Sequence, residues 1–334
     1  MKLQRGGGGT LILDGGLSTQ LERHHGVDLA HPNPGLWTAG LLLTPEGREH
    51  LRAAHLAFAC AGADIVLSAT YQAVPAGLLS ASWVGEPAAA AVTPAPTAGA
   101  TSAAAANPAA PDIPAISASA VATTVEGLTE RTRGTGSAGF GGAELPAEAL
   151  RAGVDIAVRA AREASDELGR SVEAWVSVGP LGAALANGSE YSGEYPPELR
   201  AEDALRSFHS QRLKVLMSAD EATHAGGFAF ETIPNAVEAR AISRLIASDP
   251  QLVERKCWLS LQCRDACTLA DGTPLAPLGQ ELCAALSRRT AFTGLGTNCV
   301  PPDIAERIIS TLVAAVVAQR TAPAAAAAAA VDKP

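Results

Sequence analysis

The sequence predicts an α/β fold: parallel strands alternating with helices, as a (β/α)8 TIM-type barrel of which about six of the eight βα units are present. Three observations carry this. Short apolar runs are each followed by a polar turn and an amphipathic stretch, the order that builds a parallel sheet covered by helices. No Gly-x-Gly-x-x-Gly follows the first run, which lowers the case for a doubly wound dinucleotide fold. The runs also end in residues equipped for chemistry, Asp14, Thr70, Glu231, Cys263 and Cys299. In a barrel such strand ends share one face, where the loops build a site.

The first run, Leu11 to Leu13, ends in Asp14-Gly15-Gly16, whose glycines permit a tight turn. The next helix is announced by Thr44-Pro45-Glu46, a capping residue followed by proline at the first helical position. Leu51, Ala54 and Phe58 then recur on one face, and Gly62 closes the helix before a strand over Asp64 to Thr70. Ala147 to Leu168 carries Leu150, Val154, Ala157 and Ala161 at helical spacing, and Trp175 to Val178 reads as the third strand. A helix bearing Leu205, Phe208, Leu213 and Leu216 leads to a strand over Phe228 to Thr232. Asn235 with Glu238 three residues on predicts a capping box for a helix bearing Ile242 and Ile246. A fifth strand over Cys257 to Cys263, a helix over Leu278 to Arg288, a sixth strand over Phe292 to Thr297 and a helix over Pro301 to Arg320 complete the series.

Not all of the 334 residues fit this series. No lysine or arginine lies between Arg52 and Arg131, and from residue 85 to 142 the chain is mostly Ala, Pro, Thr, Ser and Gly. With few large apolar side chains to offset its ordering entropy, that stretch reads as a disordered insertion interrupting a barrel domain of residues 10–320. Residues 321–334 read as a disordered alanine-rich tail. The composition of the whole chain, 47% hydrophobic and 18% charged, suffices for a core.

Acidic residues number 34 against 25 basic, a net charge of -9 that argues against a grip on nucleic acid or anionic lipid and favours small-molecule partners. No apolar run approaches a membrane span, and the first residues lack a signal-peptide core, so the expected location is cytoplasmic. The six cysteines read as free thiols or metal ligands rather than as a disulfide framework.

Six dispersed blocks give the chain a family resemblance: LILDGGLSTQLE at 11–22, GADIVLSATYQA at 62–73, SVGPLGAALANGSEYSGEY at 177–195, FETIPNAVEA at 230–239, DGTPL at 271–275 and GTNC at 296–299. It resembles the homocysteine S-methyltransferases, zinc-dependent barrels that methylate the homocysteine thiol with S-methylmethionine or S-adenosylmethionine as donor to give methionine. The resemblance implies Cys299 as a ligand of Zn2+, and Asp14 and Glu231 as the residues that hold the amino-acid part of homocysteine. The chemistry accounts for the metal. A free thiol is mostly protonated at neutral pH, and zinc coordination deprotonates it beside three protein ligands. Tyr71 and Trp37 are aromatic candidates for facing a cationic donor, equally well read as core. His24, His25, His50, His55, His209 and His224 read as surface or helix-packing residues.

Family members continue into a seventh and an eighth strand and a Gly-Gly-Cys-Cys motif that completes the zinc site. Here the helix to Arg320 leads into alanines instead. The sequence therefore predicts a chain truncated at its C-terminus, with an incomplete barrel and zinc site. A non-catalytic homologue is the alternative reading. Cys263 reads as core and Cys267 as a loop thiol, against the alternative of a substitute metal site built from Cys263, Cys267 and Cys299.

Overall fold

The computed structural model describes residues 10–29, 36–73, 144–286 and 292–321. The insertion expected at 85–142, and the tail beyond residue 321, lie outside the described residues. Among the described residues the elements follow as α1 (Leu17–His25), α2 (Pro45–Ala61), β1 (Ile65–Leu67), α3 (Glu144–Leu168), β2 (Glu173–Val178), α4 (Leu181–Leu185), α5 (Ser189–Ser192), α6 (Glu202–Met217), β3 (Gly227–Ile233), α7 (Ala236–Ser248), β4 (Cys257–Leu261), α8 (Leu275–Leu286), β5 (Phe292–Thr297) and α9 (Pro302–Thr321).

The five strands form one parallel sheet in the order β1-β2-β3-β4-β5. Sequence order without a reversal means the sheet winds one way only, so it lacks the switch point at which doubly wound sheets bind their ligands. The stretch expected as a first strand forms no strand of its own. Leu13 makes a single parallel bridge with Ile65, and Asp14 N–H donates to the Ile65 carbonyl at 2.9 Å. Leu11, Ile12 and Leu13 are about half exposed on that edge, so no packing fixes the run as a full strand.

Local chemistry sets the helix ends. Thr44 accepts from Gly47 N–H at 3.0 Å to cap α2, and Gly62 closes it at φ 117°. Asn235 caps α7 by accepting from Val237 and Glu238 N–H. The expected box is only half made, because the Glu238 side chain turns away into the core. The polar stretch with His24 and His25 is helical, as α1, and α4 and α5 were not expected from the sequence.

At the N-terminal end of the sheet, Trp175 and Trp258 stack with ring centroids 4.2 Å apart. An added Cβ on Gly227 would lie 2.6 Å from the Trp175 ring, so that strand start has to be glycine. The core is continuous from α2 and α3 through Val176, Phe228, Phe230 and Leu259 to Ile308 and Leu312 of α9. A smaller cluster of Leu181, Leu185, Tyr195, Leu205, Phe208 and Ala241 seats α4 over α6 and α7. No described helix is long and apolar enough to cross a membrane.

Candidate functional site

The C-terminal strand ends converge on one mouth. Asp14 accepts from Leu67 N–H at 2.8 Å, which ties it to β1. Burial pushes its carboxyl up to about 7, against the pull of the Leu67 N–H, and the charge of Glu231 adds to the rise. Glu231 stands on β3. The Ser177 hydroxyl of β2 donates to its Oε1, and Asn298 Nδ2 lies 3.5 Å from its Oε2. Burial also raises Glu231 to about 7, opposed by the Ser177 hydroxyl and by Arg212.

Cys299 follows β5. Asn298 Nδ2 approaches its sulfur to 3.5 Å and the Thr232 hydroxyl to 3.8 Å. Thr232 and Cys299 both have left-handed backbone, at φ 59° and 53°. Such conformations cost a β-branched residue energy and cluster where a site must aim particular groups. Asn298 pins the pair, donating to Thr232 Oγ1 at 2.7 Å while its Oδ1 accepts from Thr232 N–H at 2.8 Å. The Cys299 thiol is exposed, and its pKa is raised by desolvation and by the charges of Glu231 and Glu190. The structure thus brings Asp14, Glu231 and Cys299 to one mouth.

Arg212 of α6 holds the rim from beneath. Fully buried, it donates to the Gly179 carbonyl at 2.9 Å, to the Tyr71 carbonyl at 2.7 Å and to the Thr70 carbonyl. Burial pulls the guanidinium down to about 10. Tyr71 packs against Gly179 so closely that an added Cβ there would lie 2.7 Å from its ring. Its hydroxyl reaches Thr232. Trp37 is 41% exposed, and among the described residues no hydrogen bond joins it to this cluster.

Several residues around this mouth were not singled out from the sequence: Ser177, Glu190, Tyr191, Arg212, Thr232 and Asn298. Arg212 did leave a signal. With His209 it falls on the apolar stripe of α6 that carries Leu205 and Leu216, where a charged residue must be paired or placed for use.

A catalytic zinc takes three protein ligands and an open position. The donors at this mouth supply one thiol, and among the described residues no group of three or more His, Cys, Asp or Glu side chains could hold a metal ion. Cys263 does not join Cys299: it is buried, bridged to Leu269, and pushed up to about 11 by burial, while Cys267 is exposed on the loop. The residues present do not fit the ion, so no step of the chemistry below is routed through a metal.

A family model described as homocysteine S-methyltransferase matches residues 11–127 and 131–331. Homocysteine S-methyltransferase 4 of Zea mays is 30% identical over 316 residues, covering 92% of this chain and 70% of its own. Selenocysteine Se-methyltransferase of Brassica oleracea var. italica is 30% identical over 312 residues, covering 90% and 68%. Among solved structures, the homocysteine methyltransferase MmuM of Escherichia coli in a metallated form matches with a TM-score of 0.62 at 26% identity, covering 92% of this chain and 81% of that one.

Proposed function

The chain belongs to the homocysteine S-methyltransferase family, and from that premise we propose that it transfers a methyl group from S-methylmethionine or S-adenosylmethionine to the homocysteine thiol, giving methionine. In this reading the sheet is an incomplete (β/α)8-type barrel. Asp14 and Glu231 hold the acceptor's ammonium, and Cys299 marks where the acceptor's sulfur lies. The observation that carries the reading is the convergence of two carboxyls raised to about 7 with the exposed thiol of Cys299 at the C-terminal strand ends.

The chemistry balances as a displacement. The sulfur of homocysteine gives its electron pair to the methyl carbon. The bond from that carbon to the sulfonium sulfur breaks, and its pair stays on the donor, now a neutral thioether. The thiol proton must leave first. It passes to water at the open mouth, because Asp14 and Glu231, raised to about 7 in the free chain, return to ordinary carboxylate acidity once they meet the ammonium. An anion and a cation become neutral products, so a site that excludes water favours the step.

The single thiol favours a second reading, a non-catalytic homologue that binds an amino acid. One experiment separates the two: calorimetric binding of homocysteine to the 334-residue chain, together with methionine formation from S-methylmethionine and homocysteine. Binding with turnover is the expected result. Binding without turnover supports the second reading, and absence of homocysteine binding overturns both.

A further inference from the structure

Glu190 is a carboxylate that neither the fold nor the chemistry above uses. It stands on α5 and is only 7% exposed, yet its Oε2 is buried without a hydrogen-bond partner among the described residues. The backbone N–H groups of Glu190 and Gly188 hold the carboxyl in place. The approach of α5 to α4 is enforced, since an added Cβ on Gly182 would lie 2.3 Å from the Glu190 nitrogen. Asn235 Nδ2 donates at 2.9 Å to the carbonyl of Gly193, the residue that ends α5, which seats the helix against the turn after β3 and brings Glu190 to the same mouth. No described lysine, arginine or histidine forms an ion pair with it. A buried anion oriented in this way and left unpaired is costly unless a cation arrives from outside the chain.

We propose that Glu190 is a second cation-binding carboxylate of the site and takes the sulfonium charge of the methyl donor, leaving the acceptor's ammonium to Glu231 and Asp14. The proposal rests on the methyl-transfer reading and assigns its donor subsite. An ammonium group brings three N–H donors and suits the paired acceptors at Asp14 and Glu231. A sulfonium donates no hydrogen bond and is recognised by charge and by aromatic faces. Glu190 supplies the charge, and Tyr71 and Tyr191, both within its field, supply the faces. The arrangement also sorts substrate from product, because the donor loses its charge when the methyl leaves. As that charge fades towards the transition state, Glu190 stabilises the bound donor more than the transition state. Its effect therefore belongs in donor affinity rather than in kcat.

The test compares S-methylmethionine with methionine, which keeps the amino-acid skeleton but lacks the additional methyl and its charge. Calorimetry on the wild-type chain and on Glu190→Gln gives the preference for the sulfonium. The variant is expected to lose about tenfold of that preference, roughly 1.4 kcal/mol, with homocysteine affinity retained. In turnover the loss appears in KM for the donor rather than in kcat. Glu190→Asp, which keeps the charge, is expected to recover most of the preference, and it serves as the probe if Glu190→Gln does not fold: a preference then equal to that for methionine overturns the proposal. An unchanged preference in a Glu190→Gln chain that still binds homocysteine overturns the proposal and leaves the methyl-transfer reading intact. A wild-type chain that binds neither homocysteine nor S-methylmethionine overturns that reading as well.

Discussion

At the scale of single residues, the site is built from groups held where they are uncomfortable. Glu231 is a carboxyl raised to about 7 by burial, so at pH 8 the empty site carries a charge that the fold would be better without. Glu231→Gln removes that cost and keeps a partner for the Ser177 hydroxyl. The variant is expected to be more stable than wild type at pH 8 by on the order of 1–2 kcal/mol, read from denaturant midpoints. The same change should weaken homocysteine binding by about a hundredfold, because a neutral amide cannot match a sequestered ammonium. Loss of stability together with retained binding would contradict both parts. That Cys299 and Glu231 would share the face of the strand ends was legible from the order of the strands, whereas the place of Asn298 between them was not, since nothing in a sequence marks an amide that will pin a strained Thr-Cys pair.

Between elements, the clearest departure from expectation is Glu238. Its position three residues after Asn235 suggested a capping box, but its spacing to Ile242 and Ile246 puts it on the buried stripe of α7, and the stripe prevails. The carboxylate is fully buried and accepts from Leu181 N–H at 2.7 Å, from His209 Nε2 at 2.8 Å and from the Tyr195 hydroxyl. It thereby ties α4, and through it α5 with Glu190, to α6 and α7. Glu238→Ala leaves three buried donors without a partner and is expected to cost about 3–5 kcal/mol by denaturant titration. Glu238→Gln should cost less, since an amide oxygen still accepts. Equal, small losses in both would show that the network is not what seats α4 and α5. The strand and helix order was readable because period and capping are local. The first strand was not, because whether Leu11 to Leu13 pairs along its length depends on what covers its exposed side chains. Likewise α4 and α5 are held by Glu238 and the Gly182 contact, which no local pattern encodes.

At the scale of the whole molecule, two buried populations titrate against each other. Asp14, Asp155, Glu190 and Glu231 are all raised by desolvation, Asp14 and Glu231 to about 7. The folded chain holds protons there that the unfolded chain releases. The stability these acids contribute is therefore complete below about pH 4 and is lost as the pH rises through 7. His55 acts in the opposite sense. Enclosed in α2 with neither ring nitrogen hydrogen-bonded among the described residues, it is lowered by burial to about 4. Its contribution is complete above about pH 6.5 and is lost as the pH falls through 4. The two windows overlap between about pH 4 and 7, where four acids oppose His55 and the more exposed His25, which burial also lowers, so the acids set the sign. Denaturant midpoints are expected to fall from pH 5 to pH 8, by on the order of 1–3 kcal/mol. Glu231→Gln should flatten that fall and His55→Leu should steepen it, two opposite changes from two distant parts of one fold. Saturating homocysteine should also flatten it, since a bound ammonium restores the ordinary acidity of the carboxyls it meets and binding then releases protons near pH 6.5. A midpoint that rises over the same range would mean that these carboxyls are hydrated in solution, and that the mouth is not the low-dielectric site the chemistry needs.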